Sequence, residues 1–592
     1  MRTRSFLFAL ALFSLQPAFA QNTPIFVDQG SNWSDLTRFD FYTRDQGSQM
    51  IPLRWLAALK QPNGQAFLGD SLARYGYLPN PVTNTGLPVG FTVSGPVGSR
   101  MVGMTCSACH TRQIVAEGKT YRIDGGPAIV DFQTLLMDLD AAVGQVLASD
   151  ATFNPFAQAV LNSPNPDPDD VVELRQDLNA WYLRFHTIVT RGLPTKPWGP
   201  ARLDAVGMIF NRLTGLDLGP PPSQIIADNI KRADAPARYP FLWNAAIQDK
   251  TQWPGFADNG NDILGLSRNL GEVIGVFAHF APTNNGFFVN FLSNSANFDG
   301  LNRLEDLIKM IGPPKWPFAV DQNLAKQGEA IFNRPANQGG CVGCHGITPG
   351  EVRFLDQQTW KTPVQNVGTD TREHDVLKWT AKSGVLQGAY IPFITDPLKE
   401  TDLAFNILAT SVLGTIAEYY VSGGGLLTAA PKAGLVPVAP GGGPAIALQQ
   451  NLFKLPPRLR DLKGAFNVPG APQLVEGLPK LAKAAPPPAN AYESRVMQGI
   501  WATAPYLHNG SVPTLAELLK PAAQRVKAFK VGSNYDTVNV GLAVDQTQFG
   551  NYTLETTDCS DLNSGSSRCG HEFGTSLPDA EKKALLEYLK TL

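Results

Sequence analysis

Cys106-Ser107-Ala108-Cys109-His110 and Cys341-Val342-Gly343-Cys344-His345 decide how this chain is read. Each is C-x-x-C-H, in which two thiols can bond to the vinyl groups of a haem while the adjacent imidazole reaches the iron. One copy would equally suit a redox or zinc half-site that happens to precede a histidine. Two complete copies, one in each half of the chain, predict two covalently bound haem c groups. Cys106, Cys109, Cys341 and Cys344 would attach them, with His110 and His345 as iron ligands.

The flanks agree with an extracytoplasmic setting. Residues 1–20 read as a secretory signal peptide: Arg2 and Arg4, the apolar run Phe6 to Leu15, then Ala18-Phe19-Ala20 before Gln21. That run is too short to span a bilayer, and no later stretch is long and apolar enough. The expectation is a periplasmic or secreted protein with no membrane span. A net charge of −2 over 592 residues gives no sign of a nucleic-acid partner or an anionic membrane surface. Of the six cysteines, Cys559 and Cys569 lie outside the haem motifs and bracket a polar loop, so an exported chain should join them in a disulfide.

Length suits two or three domains. The proline cluster Pro313-Pro314-Lys315-Trp316-Pro317 divides the mature chain into an N-terminal haem domain, 21–317, and a C-terminal one, 318–592. The expected fold class is mainly α, with two cytochrome c-like domains, long loops and a few short strands. Gly 55 and Pro 47 make up about 17% of the chain, above the roughly 12% of average proteins, which accounts for the loops. Helical periodicity is expected over 131–147, 169–190, 263–280, 302–311 and 401–421. Residues 113–123 read as a hairpin turning at Glu117-Gly118. Asp321 should cap a helix running to Phe332, and Thr514-x-x-Glu517 is a capping box. Residues 423–444, rich in Gly and Pro, read as a surface excursion.

Function turns on the sixth ligand of each iron, because an electron-transfer haem is usually closed by a second side chain and one that binds oxygen keeps a vacancy. His508 and His571 both lie in loops of the C-terminal half, and either could close the second iron. Around the first motif the next histidine, His186, falls in a helical pattern and reads as structural, so the first haem should be open. Its pocket could draw on the helix carrying Glu272, a candidate distal acid or base, and on the Phe287, Phe288, Phe291 and Phe298 run. Those phenylalanines could equally be core. If they line the pocket, the substrate is apolar.

The two motifs, Pro314-x-Trp316-Pro317, Ala504-Pro505-Tyr506-Leu507-His508-Asn509-Gly510-Ser511 and Gly570-His571-Glu572-Phe573-Gly574 together resemble the bacterial dihaem cytochrome c peroxidase superfamily over nearly the whole mature chain. In its peroxidases a methionine ligand of the second haem falls shortly before the last helix. His571 occupies a comparable place and His508 that of a non-ligand histidine, so the resemblance favours His571. Peroxidases of the family also have a distal histidine soon after the first motif, where Gly125 and Gly126 stand here. With its greater length, the chain is similar to the enlarged oxygenase branch: rubber oxygenase, oleate 10-dioxygenase and hydroperoxide diol synthase. That resemblance implies an oxygenase inserting O2 into an unsaturated fatty acid to give a hydroperoxide, with a periplasmic electron donor as a further partner. The alternatives are a fatty-acid hydroperoxide isomerase, a rubber-type alkene-cleaving oxygenase, a hydrogen peroxide-reducing peroxidase and a non-enzymatic electron carrier. Trp253 would be a relay between haems or a packing residue.

Overall fold

The first C-x-x-C-H is held at the corner of two small sheets. In a computed structural model describing residues 23–83, 85–353, 357–392, 394–421, 436–438 and 488–592, the strands Ile51–Pro52, Met101–Met104 and Phe91–Ser94 form an antiparallel sheet. It delivers the chain to a single helical turn, Cys106–Cys109. Gly90 lies on that turn so closely that a Cβ there would stand 2.0 Å from the Ala108 nitrogen. Beyond His110, strands β2 (Thr111–Ala116) and β3 (Lys119–Asp124) make the expected hairpin, with β1 (Ile25–Phe26) parallel to β3. Glu117 and Gly118 both have positive φ, as a two-residue type I′ turn requires. Residues 1–20, expected above to be a signal peptide, and all of 423–444 except 436–438 lie outside the described residues.

Helices then build the walls. Those needed here are α1 (Phe132–Leu147), α2 (Pro168–Gly192), α3 (Ala205–Arg212), α4 (Asp262–Gly275), α5 (Phe298–Met310), α6 (Gln322–Phe332), α7 (Ala404–Val421) and α8 (Asp579–Thr591). Asp131, Asn261, Asn297 and Asp321 each cap the helix that follows by accepting backbone N–H bonds. Asp150–Leu161 is a helix not anticipated from the sequence. Helix α4 stops at Gly275 rather than near residue 280, because Phe277 turns into positive φ.

The fold class needs correction: with 38% helix and 16% strand among the described residues the protein is mixed, not mainly α. Many of the strands are two-residue pairs that tie long loops together, and period-two alternation cannot announce a strand that short.

In the C-terminal half, α6 and α8 pack on each other and frame the second motif. Their backbones meet at Gly328, where a Cβ would sit 2.0 Å from the Ala584 carbonyl oxygen. Arg334 donates two hydrogen bonds to Glu581, at 2.9 and 3.0 Å, closing the same crossing. Val342–His345 is a single helical turn like its N-terminal counterpart. Cys559 and Cys569 are joined in a disulfide.

Pro317 does not separate two cores. One hydrophobic cluster combines Trp33, Phe41, Ile114, Ile123, Phe241 and Trp243 from one side with Ile331, Trp501, Tyr506, Leu585 and Leu589 from the other. Another joins α4 and α5 to α7. A further cluster, from Met50 to Phe277, lies wholly before Pro317, so the N-terminal half has a core of its own and also shares apolar surface with the C-terminal half.

Candidate haem sites and the wall between them

Each C-x-x-C-H opens onto a large cavity. The N-terminal cavity, about 1250 Å³ with its solvent-open part, is lined by Cys106, Cys109 and His110. The C-terminal one, about 1300 Å³, is lined by Cys341, Cys344 and His345. Helix α4 turns Arg268, Asn269 and Glu272 toward the first cavity, with Val276 just beyond its end; residues 268, 272 and 276 recur at the four-residue spacing of one helix face.

The two motif histidines are prepared alike. His110 Nδ1 lies 2.9 Å from the Pro240 carbonyl oxygen and His345 Nδ1 lies 2.7 Å from that of Arg495. With Nδ1–H donating to a carbonyl, Nε2 keeps its lone pair for a metal, the usual support of a ligating histidine. Burial pushes the His110 imidazole down to about 4 and also lowers His345, so both stand neutral, as ligation demands.

The cavities differ in what faces the motif. In the C-terminal cavity the His571 ring centroid lies 6.1 Å from that of His345. Two imidazoles on opposite sides of one metal, with metal–nitrogen bonds of about 2 Å, hold their centroids about 6 Å apart. His571 has φ +51°, and its buried Nδ1 has no hydrogen-bond partner. His508 also borders this cavity, but its ring is stacked flat on Tyr492, with centroids 3.6 Å apart and planes 12° apart. In the N-terminal cavity no second imidazole stands among the described lining residues. His186 lies elsewhere, its Nδ1 2.9 Å from Asp140 Oδ2 on a half-exposed surface.

Glu272 borders the first cavity, where burial raises its carboxyl above the usual range. Gln252 Nε2 donates to Glu272 Oε1 at 2.8 Å, leaving Oε2 for a proton. Gln252 itself is held at φ +67°, a conformation that costs a non-glycine residue roughly 1 kcal/mol or more. Arg268 is tied to Glu305 at 2.5 Å and to Asn259 at 2.6 Å. The Phe287–Phe298 run does not line either cavity: Phe287 is 76% exposed, whereas Phe291 and Phe298 are buried in the cluster of α4, α5 and α7.

Of the wall between the cavities, sequence reasoning singled out Trp253 alone. Arg238, Phe241, Trp253, Glu493 and Arg495 border both cavities. Trp253 Nε1 donates to the Arg238 carbonyl at 2.9 Å, and the Arg238 guanidinium sits 4.6 Å above its ring. Arg495 Nη1 donates to the Phe241 carbonyl at 2.8 Å. A chain of bonds therefore runs from His110 through Pro240, Phe241 and Arg495 to His345. No local motif marks Arg238, Phe241, Glu493 or Arg495, because residues far apart in the chain meet here, Glu493 N–H donating to the Trp253 carbonyl at 2.8 Å and Arg495 to Phe241.

The residues present fit haem c. Each cavity supplies two thiols and a neutral imidazole, and buried polar groups on its border lack partners: Tyr239 OH and Glu373 Oε2 on the first, Tyr492 OH on the second, Glu493 Oε2 on both. Such orphans are rare unless a bound group or water completes them. The site and fold thus define a c-type haem protein. In line with this, residues 491–530, which wall the C-terminal cavity, match a family model described as RoxA-like, cytochrome c-like. Among curated proteins, the uncharacterized protein y4iJ of Sinorhizobium fredii (strain NBRC 101917 / NGR234) is 28% identical over 626 aligned positions, covering 95% of this chain and 92% of that protein. The uncharacterized protein y4iM of the same organism is 24% identical over 310 positions, covering 52% of this chain and 49% of that one. The family match is confined to that segment and supports a cytochrome c-like, haem-binding role.

Proposed function

We propose that the protein is an exported dihaem c-type oxygenase that adds O2 to an unsaturated fatty acid of the oleate type, giving a hydroperoxide. What carries this reading is the asymmetry of the cavities: His571 stands across from His345, and no second imidazole borders the cavity of His110. Haem c bound at His110 would supply an iron with an open position for O2. Cys106 and Cys109 would fix the group, and the Pro240 carbonyl would hold the His110 ring in the ligating tautomer. Glu272, with Gln252 on one oxygen, is a proton site beside the reacting atoms. The second haem, between His345 and His571, would store or pass an electron, with Trp253 and Arg495 in the wall between the two. Addition of one O2 to one alkene to give its hydroperoxide balances with no further reductant, so a periplasmic electron donor would be needed only to reset the irons.

The test is oxygen uptake by the purified holoprotein given oleate and no peroxide, with products identified by mass spectrometry. Uptake matched by hydroperoxide is expected. No uptake, with anaerobic conversion of a supplied hydroperoxide to a diol, would replace the reading by the isomerase.

A further inference from the structure

A second, smaller cavity of about 820 Å³, its solvent-open part included, lies beside the N-terminal haem cavity. The two share Val206, Gln252, Arg268 and Glu272, so the carboxyl assigned to proton handling stands at their junction. Beyond that junction the lining becomes hydrocarbon: Phe256 from the loop before α4, and Phe405, Leu408, Val412 and Leu413 from α7. Phe256 meets Phe405 edge-on, with ring centroids 5.7 Å apart.

Helix α7 explains why the space is there. It is apolar around nearly its whole circumference, as a helix buried on several sides must be. Ile407 is turned into the core it shares with α4 and α5, whereas Phe405, Leu408 and Ala409 are only partly buried where they border this space, which is open to solvent on one side. Side chains of this kind, left uncovered next to a reactive site, suit an apolar ligand.

The charges limit how such a ligand can lie. Among the described lining residues there is no lysine or histidine, and the one cation, Arg268, is already bonded to Glu305, Asn259 and Asn269. Asp258 is likewise held, by Lys250. A carboxylate placed here would find no free cation and would face Asp258 and Glu272, a costly burial.

We infer that this chamber, walled by Phe256, Phe405, Leu408, Ala409 and Val412, takes the hydrocarbon chain of a long alkene, tail inward, with any polar head left outside it. The inference rests on the oxygenase reading for the identity of the neighbouring chemistry, but the site is defined by its own lining. It replaces the Phe287–Phe298 run as the source of selectivity for apolar substrates. Recognition is by length and fit, and the head group is not read.

Binding of radiolabelled oleate, methyl oleate and octanoate to the ferric holoprotein tests this by equilibrium dialysis, with the haem absorption spectrum as a check on integrity. The ester should bind within about threefold of the acid. Leu408→Phe and Ala409→Phe should each weaken oleate and its ester by roughly fourfold per excluded methylene, tens of fold in all, and leave octanoate unchanged. Should either variant lose haem, Leu408→Cys gives an independent reading: saturating oleate should slow alkylation of its thiol at least tenfold. Unchanged oleate affinity in both filled variants, an ester bound a hundredfold more weakly than the acid, or an alkylation rate indifferent to oleate would overturn the inference. Chain binding with these sensitivities but no oxygen uptake would leave the chamber standing and remove the oxygenase reading instead.

Discussion

Replacing His571 by glycine separates a ligand from a strained bystander. The residue is held at φ +51°, which costs a side chain bearing a Cβ about 1 kcal/mol. Its buried Nδ1 lacks a partner, worth about 1–3 kcal/mol, and burial pushes its imidazole down to about 3. Glycine removes both penalties and keeps the backbone N–H that bonds the Val367 carbonyl at 2.8 Å. Against this stands the lost packing of one ring, about 1–3 kcal/mol. If His571 bonds nothing, His571→Gly should therefore be near neutral in stability and silent in the spectrum. If it bonds iron across from His345, the ferric holoprotein should lose its low-spin signal in electron paramagnetic resonance. Millimolar imidazole should restore the signal by refilling a hole of its own shape. His508→Gly should leave the signal in place, since that ring is stacked on Tyr492. A low-spin spectrum unchanged in His571→Gly and lost in His508→Gly would refute the assignment.

Glu272→Gln keeps the shape of the protonated carboxyl. It should lower oxygen uptake with oleate by about 10²–10⁴ while chain binding and haem absorption stay as they are; unchanged turnover would show that no proton passes there. Gly328→Ala drives a Cβ to 2.0 Å from the Ala584 oxygen and should cost about 3 kcal/mol in thermal denaturation of the holoprotein. Gly271→Ala, which meets nothing within 4 Å on helix α4, should gain up to about 1 kcal/mol. Asp204 caps α3 and takes backbone bonds from Gly207 at 2.8 Å and Ala235 at 3.0 Å, yet burial raises its carboxyl from 3.8 to about 7. Because the folded value is raised, its contribution to stability is full below pH 4 and fades as pH rises through 7. Denaturation from pH 4 to 8 should accordingly shift in favour of Asp204→Asn by up to about 4 kcal/mol, and parallel curves would contradict this.

The parts legible in the sequence were those written in contiguous residues. The haem motifs, the Glu117-Gly118 turn, the cap at Asp321 and the helix presenting Glu272 all depend on neighbours within a few positions. The cavity wall is written otherwise. Arg495 borders the first cavity because Glu493 is bonded to the Trp253 carbonyl and the Arg495 side chain reaches Phe241, each more than 200 residues away in the chain. The apolar chamber depends in the same way on α7 packing against α4. Phenylalanine content misled for a related reason: Phe287, Phe288, Phe291 and Phe298 are as apolar as Phe256 and Phe405, and only packing decides which of them meet solvent, core or cavity.

The wall shared by the two cavities also bears on how the protein is made. A chain emerging from the N-terminus offers Cys106, Cys109 and His110 early, but Glu373, Glu493 and Arg495 of the same cavity arrive only when most of the sequence is out. The thioether bonds at the first motif would thus form on a cavity still missing part of its lining, and the C-terminal cavity, bordered by Leu585 and Leu589, is completed later still. A fragment ending at Pro317 would keep its attachment cysteines and lose its enclosure, so an effort to produce the two halves separately should yield haem-bearing chains that do not mature. Synthesis as one polypeptide would hold Glu493 and Arg495 in reach of the first motif within the same molecule.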